Sequence, residues 1–477
     1  QTSLTTSFEL FLTTALLALV SALGSAVLSY PLGNWLASLR KLKALLSALL
    51  LVPFLLPSFL VGLVVLPFQG DTLSGLEAFA WIVFAHLLMN IGFIARVVAA
   101  SSVPKEQLEA AQLDGATRWQ SRLLVEIPQQ LPGIASASLL VALYSATSYG
   151  LVLTLGRGQT QTLETEIAEL ALRELDLAGA GFVAILQTLI TVIFFIVARR
   201  IGANPSTLFG ETESKGSKLG ALIAIAYLSA IAVVVGNVVL RVFTLNGGVV
   251  ENLNNLATRG SREILNITLL EAAGNSFRNL FVCLLISLPI IWFVSGRKKS
   301  SLLVLIPIGV SPVVIGLLFL VGSGYLPGGL GNWWLVPLAQ SIFLISLGYQ
   351  ILRPARQSVE PEMLEAAQLD GANKLQSFTS IEAPVLARPL AAAISFMSLA
   401  SLGEFGAASF LAYGSQATLP LAMFRLAGRP GEENLGMAMT AALILILLAF
   451  AVVYFISREP RSSLELSHRG AQDRQKV

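Results

Sequence analysis

The sequence predicts an all-helical integral membrane protein made of two parallel repeats of five core transmembrane helices plus one linking helix. Two observations predict this fold. Hydrophobic residues make up 55% of the 477 residues and charged residues only 12%, and the mean hydropathy is +0.75, which is too apolar for a water-soluble enzyme. A polar nine-residue sequence, Leu108–Ala116, returns unchanged as Leu364–Ala372 between apolar segments, so we infer an internal duplication.

Eleven segments are long and apolar enough to cross a hydrocarbon core. In chain order they are residues 8–30, 44–68, 78–100, 133–155, 179–198, 219–242, 266–293, 302–322, 333–352, 389–412 and 437–457. Some contain proline, which membrane helices tolerate when neighbouring groups satisfy the freed carbonyls. These prolines are Pro53, Pro57, Pro307 and Pro312.

The positive charges predict the orientation of these spans. The loops at 69–76 and 323–332 carry no Lys or Arg, whereas Lys and Arg concentrate at 40–43, at 199–218, at 297–299 and after residue 458. Basic residues favour cytoplasmic loops. We therefore expect the N-terminus as given to lie outside and the C-terminus to be cytoplasmic, together with both copies of the nine-residue sequence.

The duplication extends beyond the nine residues. A shift of 256 residues, which brings Leu108 onto Leu364, pairs the five spans that begin near 8, 44, 78, 133 and 179 with those that begin near 266, 302, 333, 389 and 437. The odd number of spans between equivalent helices makes the repeats parallel. We predict a first repeat at 1–200, a cytoplasmic linker at 201–218, a second repeat of six spans at 219–458 and a cytoplasmic tail at 459–477. Because 219–242 has no partner, we also expect an equivalent span before Gln1.

Each copy belongs to a longer motif, Glu-Ala-Ala, x3, Gly, x9, Ile-x-Leu-Pro. This motif resembles the cytoplasmic EAA loop of permease subunits of ATP-binding-cassette importers with the type I fold, in the fused form found in the thiamine, ferric iron and sulfate–molybdate group. Val125 and Ile381 occupy the Ile position, and Ala383 departs from the Leu position. The resemblance covers most of the chain.

The residue types suit a coupling helix that docks onto a soluble ATPase. The alanines permit close packing, and Gly115 and Gly371 allow the turn that ends the helix. The resemblance implies that Glu109 and Glu365 anchor the helix in a groove of the ATPase, and we expect Asp114 and Asp370 to shape the turn. The predicted coupling residues are Glu109, Ala110, Ala111, Asp114, Gly115, Pro128, Glu365, Ala366, Ala367, Asp370, Gly371 and Pro384.

No GxxxxGK[ST] phosphate loop occurs in the chain, so we expect ATP hydrolysis elsewhere and no catalytic residue here. The single cysteine, Cys283, and the two histidines cannot build a cysteine-rich or histidine metal site. The resemblance implies two copies of an ATPase subunit that bind ATP and Mg, an external solute-binding protein, and a bacterial inner (cytoplasmic) membrane. No cofactor or metal is expected in this chain.

Polar residues inside spans indicate where a solute passes, because intramembrane polar groups are costly. The span after each EAA loop is the richest, and Leu402–Ala407 resembles a segment of sulfate and molybdate permeases in which this helix lines the pathway near its gate. Glu404 either contacts a cationic solute or stabilises the gate, and we favour the second role. The predicted pathway or gate residues are Ser145, Ser148, Tyr149, Ser398, Ser401, Glu404 and Phe405.

The resemblance therefore implies the permease subunit of an importer for a small solute. Among such importers the chain is most similar to those for thiamine, which is the first expectation, followed by ferric iron or an oxyanion. Two other classes stay open at this point: an ATP-coupled exporter or transporter of a lipid-like solute, and an ion-coupled secondary transporter. The latter class also uses internal repeats but leaves the duplicated sequence unexplained.

Overall fold

The structure, a computed structural model, describes residues 4–39, 42–70, 72–200, 218–297, 310–359 and 361–457. These residues fold into helices without a strand, which confirms the predicted fold class. Within the described residues, eight helices are long and apolar enough to cross a membrane, and two bent helix pairs raise the number to as many as ten. The predicted span 302–322 is described only from residue 310. The tail 459–477 and all of the predicted linker except Lys218 lie outside the described residues.

The first half of the chain begins with one long helix and contains both bent pairs. Its helices are α1 (Leu4–Ala37), α2 (Lys43–Leu55), α3 (Ser58–Val65), α4 (Gly75–Ala100), α5 (Lys105–Leu113), α6 (Arg118–Ser121), α7 (Ile127–Ala146), α8 (Tyr149–Gly156), α9 (Leu163–Leu172) and α10 (Leu177–Arg200). A reciprocal capping box between Ser74 and Glu77 begins α4.

Where it is described, the second half repeats this order after two additional helices. Its helices are α11 (Lys218–Thr244), α12 (Val249–Asn255), α13 (Leu269–Ser295), α14 (Pro312–Ser323), α15 (Leu335–Gln357), α16 (Pro361–Leu369), α17 (Lys374–Ser377), α18 (Ala383–Leu402), α19 (Gly406–Leu411), α20 (Leu419–Ala427) and α21 (Glu432–Ser457). Thr268 and Glu271 form the capping box that begins α13.

Three of the predicted spans, at 44–68, 133–155 and 389–412, are each broken into two helices. Helices α2 and α3 meet at 95°, and the α7 helix meets α8 at 59°. The first break has a simple cause, because Pro57 takes an extended ψ of 134° and cannot continue the helix. The third break, between α18 and α19, contains Gly403, and a Cβ there would collide with Pro57. Breaks from both halves therefore meet.

Equivalent helices of the two halves pack in the same way. Helix α1 packs against α4 and α7, as α13 packs against α15 and α18, and α3 packs against α8, as α14 packs against α19. The halves also interlock, because α9 packs on α14, α3 packs on α20, and α2 packs on α21. The boundary between the halves is thus lined by the short helices that follow the breaks.

Candidate functional sites

The two EAA loops form helices with the same hydrogen-bonded ending. In α5 the amide of Ala116 donates to the carbonyl of Ala111 at 3.0 Å, and in α16 the amide of Ala372 donates to Ala367 at 2.9 Å. Such a six-to-one bond around a left-handed residue is the Schellman ending of a helix. The left-handed residues are Gly115 and Gly371, with φ of 93° and 86°.

Each coupling helix, α5 and α16, exposes an apolar side chain at its end. Leu113 and Leu369 are both 89% exposed, although leucine is the kind of residue that folding normally buries. Glu109 lies on the same exposed helix, where it pairs with Lys105 at 3.4 Å, and Glu365 is also exposed. We did not assign a role to the two leucines from the sequence. The sequence did contain a signal for them, because each is an apolar residue inside a repeated polar motif.

The segment that returns to the membrane is also duplicated in detail. Thr117 and Gln120 exchange hydrogen bonds in a capping box, and Asn373 and Gln376 do the same in the second copy. A five-residue π-helical turn follows in each half, at Arg122–Glu126 and Phe378–Glu382. These two turns are also 256 residues apart.

The prolines of the motif explain the π turns. Pro128 and Pro384 have no amide hydrogen, and a proline ring clashes with the carbonyl four residues earlier in an α-helix. Widening the turn relieves this clash, because the amides of Ile127 and Ala383 then donate to carbonyls five residues back. The proline and its π turn together form a joint between each coupling helix and the span that follows, α7 or α18.

The second coupling loop is attached to its neighbours by an arginine that the first loop lacks. Arg356 donates to the carbonyl of Trp292 at 2.6 Å, lies over the Trp292 ring at 4.4 Å, and is 3.9 Å from Glu382. The equivalent acid in the first half, Glu126, is buried and lies 4.0 Å from Arg122 of its own π turn. The two joints have the same backbone but different anchors.

Four aromatic rings meet where the breaks of the two halves come together. Tyr149 and Phe405 are equivalent by the 256-residue shift, and their ring centroids are 5.5 Å apart in a stacked arrangement. Phe59 stacks on the Phe405 ring at 5.1 Å, and Phe424 lies 5.2 Å from it. Two rings belong to each half. We call Phe59, Tyr149, Phe405 and Phe424 the aromatic cluster.

Glu404 lies beside this cluster and holds the start of α19. Its carboxylate accepts hydrogen bonds from the amides of Ala407 at 2.6 Å and Ala408 at 3.1 Å, and from Nε2 of Gln340 at 3.2 Å. Oε1 of Gln340 in turn accepts from the hydroxyl of Ser401 at 3.1 Å. This geometry makes Glu404 a side-chain acceptor that caps the start of α19. The role in a gate that we favoured from the sequence stays a prediction.

A buried acid, which we did not identify from the sequence, lies next to the break of the first half. Glu164 of α9 is fully buried, and its Oε1 accepts from Nε2 of Gln187 at 2.7 Å. Gln187 also donates to the carbonyl of Ala146, the last residue of α7. Glu164 lies between predicted spans in an acidic stretch, which is why it resembled a solvent-exposed loop residue.

The remaining predicted pathway residues lie on the same broken helices. Ser145 and Ser148 flank the end of α7, and both are buried. Their hydroxyl oxygens have no hydrogen-bond partner within the described residues. Ser398, which is one turn before Ser401, donates only to the carbonyl of Ile394 in its own helix. The structure thus brings Tyr149 and Phe405 together, and places Ser401 in the Glu404 network.

Comparison with known sequences agrees with this architecture. Residues 29–204 and 273–459 each match the family described as "Binding-protein-dependent transport system inner membrane component". The chain is 24% identical over 405 residues to a thiamine transport system permease protein, ThiP, of Salmonella typhimurium, covering 80% of this chain and 72% of that protein. It is 25% identical over 449 residues to the ThiP protein of Haemophilus influenzae, covering 88% and 81%.

A shorter relative matches only part of the chain. The putative molybdenum transport system permease protein YvgM of Bacillus subtilis is 27% identical over 180 residues, which cover 34% of this chain and 78% of that protein. The family match is present twice and extends over more than half of the chain. This family match argues against the alternative of an ion-coupled secondary transporter. It also implies an ATPase and a binding protein as partners. The chain therefore belongs to the family of binding-protein-dependent transport system inner membrane components, as the non-enzymatic permease of an ATP-binding-cassette importer.

Proposed function

We propose that this permease imports a thiamine-like organic cation and couples to two copies of an ATPase subunit, one at each coupling helix. The observation that carries the proposal is the duplicated coupling geometry. Both helices end in the same Schellman turn, expose a leucine to the same extent and continue through the same π turn. Two equal docking surfaces fit two equal subunits.

The stoichiometry is tested by the mass of the assembled complex. We expect native mass spectrometry of the purified transporter to give two ATPase subunits per permease chain. ATP and Mg would be bound by those subunits, and this chain would hold no cofactor. One ATPase per permease chain in the intact complex would contradict the proposal.

The charge distribution also supports an orientation. The coupling loops carry Lys105, Arg118 and Arg122, while residues 323–332 carry no Lys or Arg. Basic loops stay on the cytoplasmic side, where the ATPases must bind. We infer that the chain lies in the bacterial inner membrane with its N-terminus as given outside and its C-terminus in the cytoplasm. A cysteine introduced at position 326 should react with a membrane-impermeant maleimide added outside, and one at position 113 should not.

Two observations support an organic cation as the solute. The ThiP relatives align with most of the chain, whereas the molybdenum relative aligns with about a third. Glu164 is buried and has no ion-pair partner in the part of the chain that the structure describes. A buried acid without a counter-ion favours a cation and disfavours an oxyanion at this boundary.

Reconstituted transport tests the solute. The permease, its ATPase and its external binding protein are placed in liposomes, and uptake of labelled thiamine is compared with uptake of labelled molybdate and ferric iron. We expect ATP-dependent accumulation of thiamine alone. Accumulation of molybdate without thiamine would favour the oxyanion alternative, and export of solute from preloaded liposomes would favour the exporter.

A further inference from the structure

We infer that the aromatic cluster and Glu164 together form a contact site for a planar organic cation on the transport path. This inference rests on the proposed solute and deepens it by naming the residues that recognise it. The aromatic rings would contact the face of the cation, and the carboxylate of Glu164 would accept a hydrogen bond from an amino group at its edge.

The position of the rings is the first argument. The cluster joins four elements from both halves, since Phe59 lies in α3, Tyr149 begins α8, Phe405 precedes α19 and Phe424 lies in α20. Phe59, Tyr149 and Phe405 are 1%, 6% and 4% exposed. A pathway between two repeats must open along their boundary, so any solute that crosses there passes these rings.

The packing of the rings is the second argument. A planar molecule between two rings needs about 7 Å, which is two van der Waals contacts of about 3.5 Å. The stacked centroids are only 5.1 Å and 5.5 Å apart, so the cluster is closed. Gly150 permits this closure, because a Cβ there would lie 2.8 Å from Phe59 and 3.0 Å from Phe405. Separation of the halves would expose ring faces on both sides.

The unused hydrogen-bonding capacity near the cluster is the third argument. Oε1 of Glu164 is held by Gln187, but Oε2 of Glu164 and Oε1 of Gln187 have no hydrogen-bond partner within the described residues. The hydroxyls of Ser145 and Ser148 also have no hydrogen-bond partner within the described residues. Buried polar atoms normally have partners. A group of them beside the break at Ala146, next to Tyr149, therefore points to a polar ligand.

The chemistry of these groups selects the ligand. Aromatic faces attract cations through the ring quadrupole, and this attraction grows when water is excluded. Glu164 adds a carboxylate. The hydroxyl of Ser311, at the start of α14 in the other half, interacts with this carboxylate but makes no hydrogen bond to its Oε2. An aminopyrimidine joined to a positively charged heterocycle satisfies all of these groups. A tetrahedral oxyanion would meet π faces and a carboxylate, both of which repel it.

The test measures thiamine uptake by reconstituted wild-type transporter and by Tyr149→Leu, Phe405→Leu and Glu164→Gln, with the same ATPase and binding protein. We expect each ring replacement to lower the maximal uptake rate about tenfold, the size of a desolvated cation–π contact. Tyr149→Phe should keep the wild-type rate. Phe54→Leu is the matched control, because Phe54 stacks on Phe93 at 4.2 Å and both of these rings belong to the first half.

The role of Glu164 is tested by the preference of the transporter for thiamine over oxythiamine. Oxythiamine carries an oxo group where thiamine carries its amino group, so the wild type should prefer thiamine and Glu164→Gln should reduce that preference about tenfold, as for a lost hydrogen bond to a charged group. Because one binding protein serves all variants, a change in the ratio reports on the permease. Only variants that assemble with the ATPase are compared.

The outcomes separate the two proposals. Absence of thiamine uptake by the wild type would contradict the proposed solute. Thiamine uptake that stays within twofold of wild type in Tyr149→Leu and Phe405→Leu, with an unchanged ratio in Glu164→Gln, would leave the proposed function standing and overturn the contact site. A loss in Tyr149→Leu that also occurs in Phe54→Leu would assign the rings a packing role and overturn the contact site as well. An equal loss in Tyr149→Phe would assign the effect to the Tyr149 hydroxyl rather than to its ring, and would also overturn it.

Discussion

Glu404 and Glu164 show how two acids in similar surroundings come to different uses. The oxygens of Glu404 already accept hydrogen bonds from two backbone amides and from Gln340. The Glu404 carboxylate therefore stabilises the start of α19. Glu164 has one oxygen that the described residues leave without a partner. Glu404 was recognisable in the sequence because it interrupts an apolar span. Glu164 was not, because burial of α9 depends on contacts with distant helices that no local pattern contains.

The capping role of Glu404 gives a prediction at this scale. Glu404→Ala leaves the amides of Ala407 and Ala408 without their acceptor, and we expect it to lower the free energy of unfolding by about 1–2 kcal/mol. Thermal unfolding of the purified transporter measures this. Ser398→Ala is the control and should have little effect, because Ser398 bonds only within its own helix. Unchanged stability with lost uptake would instead indicate direct contact with the solute.

At the scale of elements, the long helices and the coupling loops were predictable but the breaks were only partly so. Hydropathy locates a span because burial in lipid needs about twenty apolar residues. It cannot distinguish one straight helix from two short ones. The break at Pro57 has a local signal. The break at Thr147 and Ser148 contains neither proline nor glycine, so no comparable local signal marks it.

The π turns are a further element that follows from the motif. Pro128→Ala restores an amide hydrogen, and an ordinary α-helical turn then gains about 1 kcal/mol from one hydrogen bond, about a fivefold shift toward a straight helix. We expect the turn to lose its role as a joint, so that less thiamine is transported per ATP hydrolysed. The ratio of uptake to ATP hydrolysis in liposomes measures this effect.

The comparison that isolates the joint uses another proline of the same helix. Pro132 lies inside α7 but is not preceded by a π turn of its own, so Pro132→Ala should leave the transport-to-hydrolysis ratio near wild type. Pro384→Ala in the second half should behave like Pro128→Ala. Equal ratios in all three variants and the wild type would show that the π turns do not transmit the movement.

For the whole molecule, the duplication leaves the two coupling helices nearly symmetric but the boundary between the halves asymmetric. The side of the molecule that carries the coupling helices is nearly symmetric, because these two helices match in hydrogen bonds and in exposed residues. The boundary within the membrane is asymmetric, since Ser148 in one half takes the place of Glu404 in the other, and the acid of the first half comes instead from α9. Equal ATPase subunits need equal docking surfaces, whereas one small solute without twofold symmetry needs an asymmetric path.

The two similar coupling helices lead to the last prediction, which concerns binding of the ATPase subunits. Burying an exposed leucine contributes about 2 kcal/mol, so Leu113→Asp and Leu369→Asp should each weaken binding of one ATPase subunit about thirtyfold, and the double variant should bind neither. Titration of the labelled ATPase onto the detergent-solubilised permease measures both events. Leu76→Asp, which changes a leucine that is 80% exposed at the start of α4, is the control and should bind as the wild type does. If the single variants lost both subunits together, the two docking surfaces would be cooperative rather than independent. If the double variant retained both, the leucines would not be docking residues, and the coupling helices would bind through their acids alone.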